Sequence, residues 1–535
     1  MANLTLEEKV TNKLKEQTKS RGKYTLKSLP HPFTLHNNEK AADKIIENLL
    51  SGKRMLIIGD YDADGIMATT ILMKFFNALG FGVMVDYKIP DRITDGYGLN
   101  PKLIDYALEN GFDFAVTVDN GIAANKAMDY ANEKGFEVII TDHHTAPKIL
   151  PKCEIIVNPR SPEDKTFPYE YISGATVAWY LAYAIKIKMG FDYDMTELLD
   201  YVALTIISDV MPLENVNVPI VEFGIREIKK RKRAIYNHIW NDWTAPVIDT
   251  TGIAFSLVPM INAIGRIDDA NKAVKIFLED DPTIVAQYYQ FMLNTNEKRK
   301  ELSREYLQIA DNLVVDNNAK VIVVRQKDFH EGLVGIVAGK LAERYHKPTY
   351  VFGYNEEKGI WKGSGRTVGS IHLYDLTNRA SNNMLGFGGH SGAVGLSVLD
   401  ENFENMTQDL IKEADLIPDE DFIDAGKEPI ECNLDEITPE LMNKIMEYAP
   451  FGAGNPLPLF KTNSAIIIER KLKNGLHFKC NLVTDKTTMT GLFFNVKEDE
   501  FVNKIGDNCN YTFTLGLSYD LKSNFFNIEA NCELI

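Results

Sequence analysis

Residues 54–65 read RMLIIGDYDADG, an apolar run followed at once by three aspartates at alternate positions. The apolar run is typical of a buried β-strand, and the pattern from Met67 to Leu79 is typical of a helix. Three carboxylates packed into one loop repel each other unless cations neutralise them. This stretch therefore predicts a strand–loop–helix unit that carries a metal site.

Three further apolar runs indicate that this unit belongs to a parallel sheet. They are VMVDYKI at 83–89, FAVTVD at 114–119 and EVIITD at 137–142. Helical patterns, such as the one from Asn125 to Lys134, separate the runs. Strands that are apolar throughout and alternate with helices are typical of a parallel sheet covered on both faces. Ligands bind beyond the carboxyl ends of such strands.

Polar residues stand at those carboxyl ends. Asp119 ends the third run, and Asp142, His143 and His144 follow the fourth. Asp209 ends an apolar helical segment, LTIISDVMPL. Carboxylates combined with imidazoles form a ligand set that suits Mn²⁺ or Mg²⁺. The sequence therefore predicts a metal site at this edge of the sheet.

Each of these residues also has a simpler interpretation. The DxDxDG pattern occurs in calcium loops of the EF-hand type, but here a buried strand precedes it and no glutamate stands at the twelfth position. A lone aspartate such as Asp209 is usually a helix cap, and adjacent histidines are usually surface residues. Their joint occurrence at successive strand ends favours the metal site.

The second half of the chain predicts two more domains. Residues from about 170 to 315 are mostly helical and end in a long connecting helix, Asn296 to Leu313. A second α/β unit follows, with strands at 320–325 and 349–353, a helix from Gly332 to Tyr345 and strands near 393–398. Its glycine-rich segment GFGGHSGAVGLSV, at 386–398, is either a plain turn or a backbone cradle for an anion.

After an acidic segment at 416–429, short alternating runs of β character indicate a small OB-like barrel. We therefore expect an α/β fold, in which a parallel-sheet domain at 1–295 is joined by a long helix at 296–318 to a smaller α/β domain at 319–415. The OB-like barrel is expected at 428–535.

Composition excludes several classes of protein. The 535 residues carry a net charge of −17, so charge alone would not coat nucleic acid, and any DNA contact must use local basic patches. The five cysteines are an odd number without a CxxC pair, which is not typical of a disulfide framework or a zinc site. The longest apolar stretch, Ala175 to Ile185, is too short to span a bilayer. We expect a cytoplasmic protein with no membrane partner.

The motifs GDYDADG, VDNG, DHH and SDVMPL resemble the four motifs of the DHH phosphoesterase family. The resemblance implies two Mn²⁺ or Mg²⁺ ions and assigns their ligands, which are Asp62, Asp64, Asp119, His143 and Asp209. Asp119 would bridge the two ions, and Asp60 would lie in or near their coordination. His144 would contact the scissile phosphate or assist protonation.

Other segments resemble the RecJ exonucleases of that family and cover nearly the whole chain, among them IPDRITDGYGLN at 89–100, MINAIGRIDDA at 260–270 and KGSGR at 362–366. They imply a 5′-to-3′ exonuclease for single-stranded DNA that releases mononucleotides in repair and recombination. The implied contacts to DNA are Arg92, Tyr97, Arg266, Ser364, Arg366, Gly388, Gly389 and His390. Arg92, Ser364 and Arg366 would hold the 5′ phosphate. The expected partners are single-stranded DNA with a 5′ end and a single-strand-binding protein or helicase.

Two alternatives stay open on the sequence. A DHH phosphatase of short oligonucleotides or cyclic dinucleotides is disfavoured because such enzymes generally lack an OB-like domain. A catalytically weak DHH scaffold that binds replication proteins is disfavoured because it need not keep three carboxylates together in one loop.

Overall fold

The structure is a computed structural model that describes residues 4–22, 24–240, 247–314, 319–423, 428–472, 477–494, 496, 498–520 and 525–534. Residues 315–318, at the end of the predicted connecting segment, and 424–427, in the predicted acidic linker, lie outside the described residues.

The first domain is built on a five-stranded parallel sheet. Its strands are β1 (Met55–Ile58), β2 (Val85–Lys88), β3 (Phe114–Thr117), β4 (Glu137–Thr141) and β5 (Ile155–Val157), in the order β2-β1-β3-β4-β5. Alternate residues of β1 pack into two different apolar clusters, so both faces of the sheet are covered. The four predicted strands are confirmed, while β5 was not predicted.

Helices supply the two covering layers and a helical extension after β5. They are Asn38–Leu50, Ala63–Ala78, Pro101–Glu109, Asn125–Lys134, Gly174–Met189, Leu199–Ser208, Asn217–Lys230, Ala234–Ile239, Thr250–Gly252, Val258–Ile267 and Asn271–Leu278. The turn Ile253–Leu257, between two of them, is a π-helix. The 18-residue segment Thr250–Ile267 is long and apolar enough to cross a membrane, but half of it is buried inside the protein, as in a core helix of a globular domain.

A 32-residue helix, Pro282–Leu313, leads to the second domain. It begins earlier than the predicted Asn296 because Pro282 occupies the first helical turn and the Asp281 side chain caps it, accepting hydrogen bonds from two backbone N–H groups.

The second domain has a mixed sheet of β6 (Ile322–Arg325), β7 (Thr349–Asn355), β8 (Ile360–Arg366), β9 (Gly386–Gly389) and β10 (Ala393–Leu399), in the order β6-β7-β8-β10-β9. Only β6 and β7 run parallel; the other neighbours are antiparallel. Its helices are Glu331–Tyr345, Leu373–Arg379 and Phe403–Asp415.

The third domain is a closed barrel. Its strands are β11 (Ile430–Glu431), β12 (Phe460–Leu472), β13 (His477–Val483), β14 (Thr488–Phe493), β15 (Cys509–Asp520) and β16 (Phe525–Leu534), with helices Pro439–Met446 and Glu498–Lys504. Pairing of β12 with both β13 and β15 closes five of these strands into a ring. The predicted OB-like barrel is confirmed.

The N-terminal helix, Leu6–Gln17, packs on this barrel although it is far from it in sequence. Leu6, Val10 and Leu14 are buried in the apolar core of the barrel domain. The Gln17 side-chain amide also donates hydrogen bonds to Asn455 and to the carbonyl of Pro456. The first residues of the chain are therefore part of the third domain in space.

This packing makes a prediction about truncated chains. A chain of residues 1–425 keeps Leu6, Val10 and Leu14 but lacks the barrel that covers them, and each fully buried side chain of this type contributes ~1.5–3 kcal/mol. We expect residues 1–425 to self-associate and residues 24–425 to stay monomeric in size-exclusion chromatography with light scattering. Circular dichroism should show both chains folded; equal monodispersity would contradict the proposed role of the helix.

Candidate active site

The loop after β1 directs its carboxylates by hydrogen bonds to its own backbone. Asp62 caps the helix Ala63–Ala78, and its Oδ1 accepts hydrogen bonds from the N–H groups of Asp64 and Gly65 at 3.0 and 3.2 Å. Asp60 Oδ1 accepts one from the N–H of Tyr61 at 2.8 Å. A side chain at Gly65 would lie 2.5 Å from the Asp60 backbone, so only glycine allows this tight turn.

Asp119 enters the same space from β3 in a conformation that few residues adopt. Its φ is +61°, in the left-handed region. A side chain at Gly174 would lie 2.6 Å from the Asp119 carboxylate, so the start of the helix Gly174–Met189 approaches Asp119 closely. The same helix start holds Asp64, whose two oxygens accept hydrogen bonds from the N–H groups of Gly174 and Ala175 at 2.6 and 2.8 Å.

The predicted ligands converge in three overlapping groups. The ligand atoms within each group lie within 4.8 Å of one another, and the groups are Asp60, Asp62 and Asp119; Asp119, His143 and His144; and Asp64, His143 and Asp209. His143 Nε2 is central, at 3.0 Å from an oxygen of Asp119 and 3.6 Å from oxygens of Asp64 and Asp209. The structure thus brings together every carboxylate and histidine that the sequence predicted for this site.

The carboxylates in this cluster outnumber the protein cations near them. Burial, followed by the charge of Asp62, raises the pKa of Asp60 to about 8 and that of Asp64 to about 7. Burial, followed by Asp64, raises the pKa of Asp209 to about 8 and that of Asp119 well above its usual value.

His143 does not neutralise these carboxylates, because burial lowers its pKa to about 3 and leaves the imidazole uncharged. His143 Nε2 and Asp119 Oδ1 face each other while buried, and neither makes a hydrogen bond among the described residues. Two buried acceptors at 3.0 Å need a cation between or beside them. The donor set, carboxylate oxygens with one neutral imidazole, fits divalent cations such as Mn²⁺ or Mg²⁺.

Asp142 orients His144, a contact that the sequence did not predict. Its Oδ2 accepts a hydrogen bond from the N–H of Ile122 at 2.9 Å, and its Oδ1 lies 2.7 Å from His144 Nδ1. Burial alone would raise the pKa of Asp142, but the neighbouring His144 lowers it to about 2. In turn, although burial opposes it, Asp142 raises the pKa of His144 to about 10. Asp142 therefore holds His144 as a protonated imidazole whose Nε2 points towards Tyr97.

A cleft of about 390 Å³ lies between the first and second domains and gathers most of the predicted DNA contacts. Among the residues that line it are Arg92, Tyr97, Arg266, Ser364 and Arg366. Their positive charges repel one another: burial, followed by Arg92, Arg366 and Arg299, lowers the pKa of Arg266 to about 9. Such a cleft attracts anions.

Two of these arginines are held by neutral groups. The Arg92 guanidinium lies 3.7 Å above the ring of Tyr61, and Arg366 Nη1 donates to Ser364 Oγ at 2.8 Å. The described residues provide no carboxylate within 4 Å of either guanidinium, so both keep hydrogen-bonding capacity for an anion.

The glycine-rich segment lies beside this cleft. Gly388 is in β9 and Gly389 ends it, and His390 follows in the turn to β10. None of the three lines the cleft itself. Burial, followed by the charges of Arg366 and His144, lowers the pKa of His390, so this histidine lies near both the arginine cleft and the carboxylate cluster.

The cleft also contains residues that the sequence did not predict, namely Tyr61, Glu331, Lys362 and Ser397. Lys362 had a usable signal, because alternate residues of a strand share a face and Lys362 is two residues before Ser364 in β8. Glu331 and Ser397 gave no such signal, because their positions follow from how the domains pack.

Three family models match the chain, in the order of its domains. They are the N-terminal domain of the DHH family over residues 54–206, the DHHA1 domain over 318–415 and the RecJ OB domain over 430–535. The single-stranded-DNA-specific exonuclease RecJ of Haemophilus influenzae is 31% identical over 484 residues, covering 85% of this chain and 83% of that protein. The chain belongs to the RecJ family of single-stranded-DNA-specific exonucleases.

RecJ of Bacillus subtilis is 32% identical over 478 residues, which cover 87% of this chain; the chain spans only 59% of that longer relative. RecJ of Thermus thermophilus has been solved with Mn²⁺ and with Mg²⁺, at TM-scores of 0.75 and 0.70 and identities of 26% and 25%. These structures cover 93% and 94% of this chain, and the chain covers 71% and 70% of theirs. The predicted fold and the predicted divalent-metal cofactor, Mn²⁺ or Mg²⁺, are confirmed.

The raised carboxylate pKa values predict how metal binding depends on pH. The metal-free native site holds protons up to about pH 7 on Asp64 and up to about pH 8 on Asp60 and Asp209, whereas an unfolded chain releases them near pH 4. Stability of the metal-free protein should therefore fall as pH rises from about 4 to about 8. Because cations displace these protons, Mn²⁺ should bind about tenfold or more tightly at pH ~8 than at pH ~6.

The measurement is the rise in thermal unfolding midpoint on adding Mn²⁺, at both pH values. Asp119→Asn should remove most of the rise, while Asp415→Asn, at an exposed position of the second domain, should keep it. A rise independent of pH, or one that survives Asp119→Asn, would contradict the assigned metal cluster.

Proposed function

We propose that this chain hydrolyses single-stranded DNA from its 5′ end and releases 5′-mononucleotides. The observation that carries the proposal is the position of an arginine-lined cleft next to a buried carboxylate cluster, with His390 near both. Cations bound by the carboxylate cluster, beside a separate pocket for an anion, would cleave a DNA strand at a fixed distance from its charged end.

We assign the cations to Asp62, Asp64, Asp119, His143 and Asp209, with Asp119 shared and Asp60 beside it; when bound, they supply Lewis-acid chemistry at the phosphate. His144 is placed to donate a proton from Nε2 to the leaving 3′ oxygen, because Asp142 holds its Nδ1 at 2.7 Å. The helix Gly174–Met189 packs beside the buried carboxylates, and its first two N–H groups orient Asp64.

Arg92, Ser364 and Arg366 then hold the terminal phosphate, with Arg266 adding charge behind them and Tyr97 beside His144. We propose that Gly388, Gly389 and His390 contact the bound DNA strand between this pocket and the cations. Hydrolysis that breaks the bond to the 3′ oxygen leaves a phosphate on the shortened strand. Each cycle therefore regenerates the end that the pocket binds.

Membership of the RecJ family supports single-stranded DNA as the substrate, and the OB barrel offers a surface of a type that binds single strands. We further propose a cytoplasmic role in DNA repair, with a single-strand-binding protein or a helicase supplying the strand. A phosphatase of short oligonucleotides is less well supported, because it would not need the barrel.

The polarity can be tested on the first nucleotide released, since later cycles all begin from a 5′ phosphate. We expect a 5′-phosphorylated strand to lose its first nucleotide about 10- to 100-fold faster than a 5′-hydroxyl strand, because charge-assisted hydrogen bonds contribute ~1.5–3 kcal/mol. Arg366→Ala should remove most of that preference and leave Mn²⁺ binding unchanged.

Arg379→Ala is the matched control, because Arg379 lies in the same domain and pairs with Glu413 on its surface. It should keep the preference for the phosphorylated end. Release of a 3′ label before a 5′ label, or equal cutting of circular and linear strands, would sink the proposal.

A further inference from the structure

The cleft continues past the pocket assigned to the terminal phosphate. Lys362, Ser364 and Arg366 all line it, and because they are alternate residues of β8 they share one face of the sheet. Arg366 reaches back to Ser364 Oγ, so these two residues form one pocket. Lys362 lies about 6.7 Å further along the strand, by the usual rise of two strand residues.

The row formed by Arg366, Ser364 and Lys362 leads away from the carboxylate cluster, with Arg366 at the near end. In β10, Ala393 pairs with Arg366, Gly395 with Ser364 and Ser397 with Lys362. His390, whose surroundings include His144, lies in the turn before Ala393, at the Arg366 end of the row. Lys362 and Ser397 are therefore beyond the end pocket when the path is followed from the catalytic centre.

The strands beside this row leave open space over their backbone. A side chain added at Gly386, Gly388 or Gly395 would meet no atom within 4 Å. Gly395 pairs with Ser364, and Gly386 pairs with Ser397, so these two positions of the cleft floor carry no side chains. This floor has room for the sugar of a nucleotide.

The far end of the cleft carries unpaired polar groups. Among the described residues, no hydrogen bond or ion pair involves the Lys362 ammonium or the Ser397 hydroxyl. Glu331 Oε1 is buried without a hydrogen bond. Burial raises the pKa of Glu331, while Lys362, Lys358 and Arg92 oppose that rise, so three cations surround one carboxylate.

A larger cavity, of about 740 Å³ in the first domain, lacks this property. Lys74 and Arg233 line it, but each has a carboxylate partner, Asp280 at 3.4 Å and Asp200 at 2.5 Å respectively. Cations in close ion pairs offer little to an additional anion, so Lys362, which makes no ion pair within 4 Å among the described residues, is the stronger indication of a ligand.

We propose that Lys362 and Ser397 form a second phosphate subsite, one nucleotide beyond Ser364 and Arg366. This inference rests on the proposed 5′ exonuclease function. A strand whose 5′ phosphate reaches Lys362 places its first internucleotide phosphate at Arg366 and its second at the catalytic centre. Water then adds to the second phosphate, the bond to the 3′ oxygen breaks, and that oxygen takes a proton. The products are a 5′-phosphorylated dinucleotide and a strand that again ends in a 5′ phosphate.

The test is a 5′-phosphorylated oligonucleotide whose first internucleotide linkage is a phosphorothioate, which resists hydrolysis but keeps its charge. With Mg²⁺, the full-length chain should release the dinucleotide with this linkage intact, detected by mass spectrometry. The quantity compared is the ratio of dinucleotide released from the phosphorothioate strand to mononucleotide released from an unmodified strand. Lys362→Met should lower this ratio by about tenfold. Lys362→Arg should largely restore the ratio, and Lys412→Met, at an exposed site in the same domain, should not alter it.

Glu331→Gln gives a change of opposite sign, because it removes the one carboxylate that repels a second phosphate there. It should raise the ratio of dinucleotide to mononucleotide. Release of mononucleotides alone by the unaltered chain, or an equal loss of both products in Lys362→Met, would overturn the subsite. Release of nothing from either strand would instead overturn the proposed function on which the subsite rests.

Discussion

The mutual repulsion of carboxylates buried at one edge of a parallel sheet is the constraint on which the active site depends. The strands β1 and β3 and the helix ending at Ser208 deliver Asp62, Asp119 and Asp209 to one place, where the negative charges outnumber the nearby protonated imidazole of His144. His143 adds no positive charge, because its burial keeps it neutral. Bound protons relieve this repulsion in the metal-free protein at low pH, and divalent cations would relieve it at higher pH, so the fold around these residues is coupled to metal binding.

Much of the surrounding structure can be understood as support for that cluster. Gly65 and Gly174 permit approaches that any side chain would block, and Asp119 adopts a left-handed conformation to point inward. Asp142 directs its oxygens to the backbone and to His144 rather than to the cations. The cleft between the first and second domains adds the opposite charge, with Arg92 and Arg266 from the first domain, Arg366 from the second, and one carboxylate, Glu331, among its lining residues. The carboxylate cluster can bind cations and the neighbouring arginines can bind phosphate, so together they suit a phosphodiester strand.

The sequence predicted that Asp119 and His143 lie close together, because strand ends in a parallel sheet meet at one edge. The individual ligand roles came from the resemblance to the DHH family and stay predictions. The sequence also predicted the order of the domains, and the observed helix and strand bounds differ mostly by a few residues. It did not predict that the helix Leu6–Gln17 packs on the barrel, because an amphipathic pattern shows that a helix face is buried but not which domain covers it. The position of Glu331 in the cleft depends on how the two domains pack, so the sequence did not predict it, whereas Lys362 could have been found from its alternation with Ser364 in β8.

The most direct measurement is a crystal structure of the chain with Mn²⁺ and a 5′-phosphorylated oligonucleotide, with manganese located by anomalous scattering. We expect two peaks that share Asp119 as a ligand, and a terminal phosphate in contact with Ser364 and Arg366. No peak among these carboxylates, or a strand bound with its 3′ end against Arg366, would contradict the assignment of both metal centre and polarity.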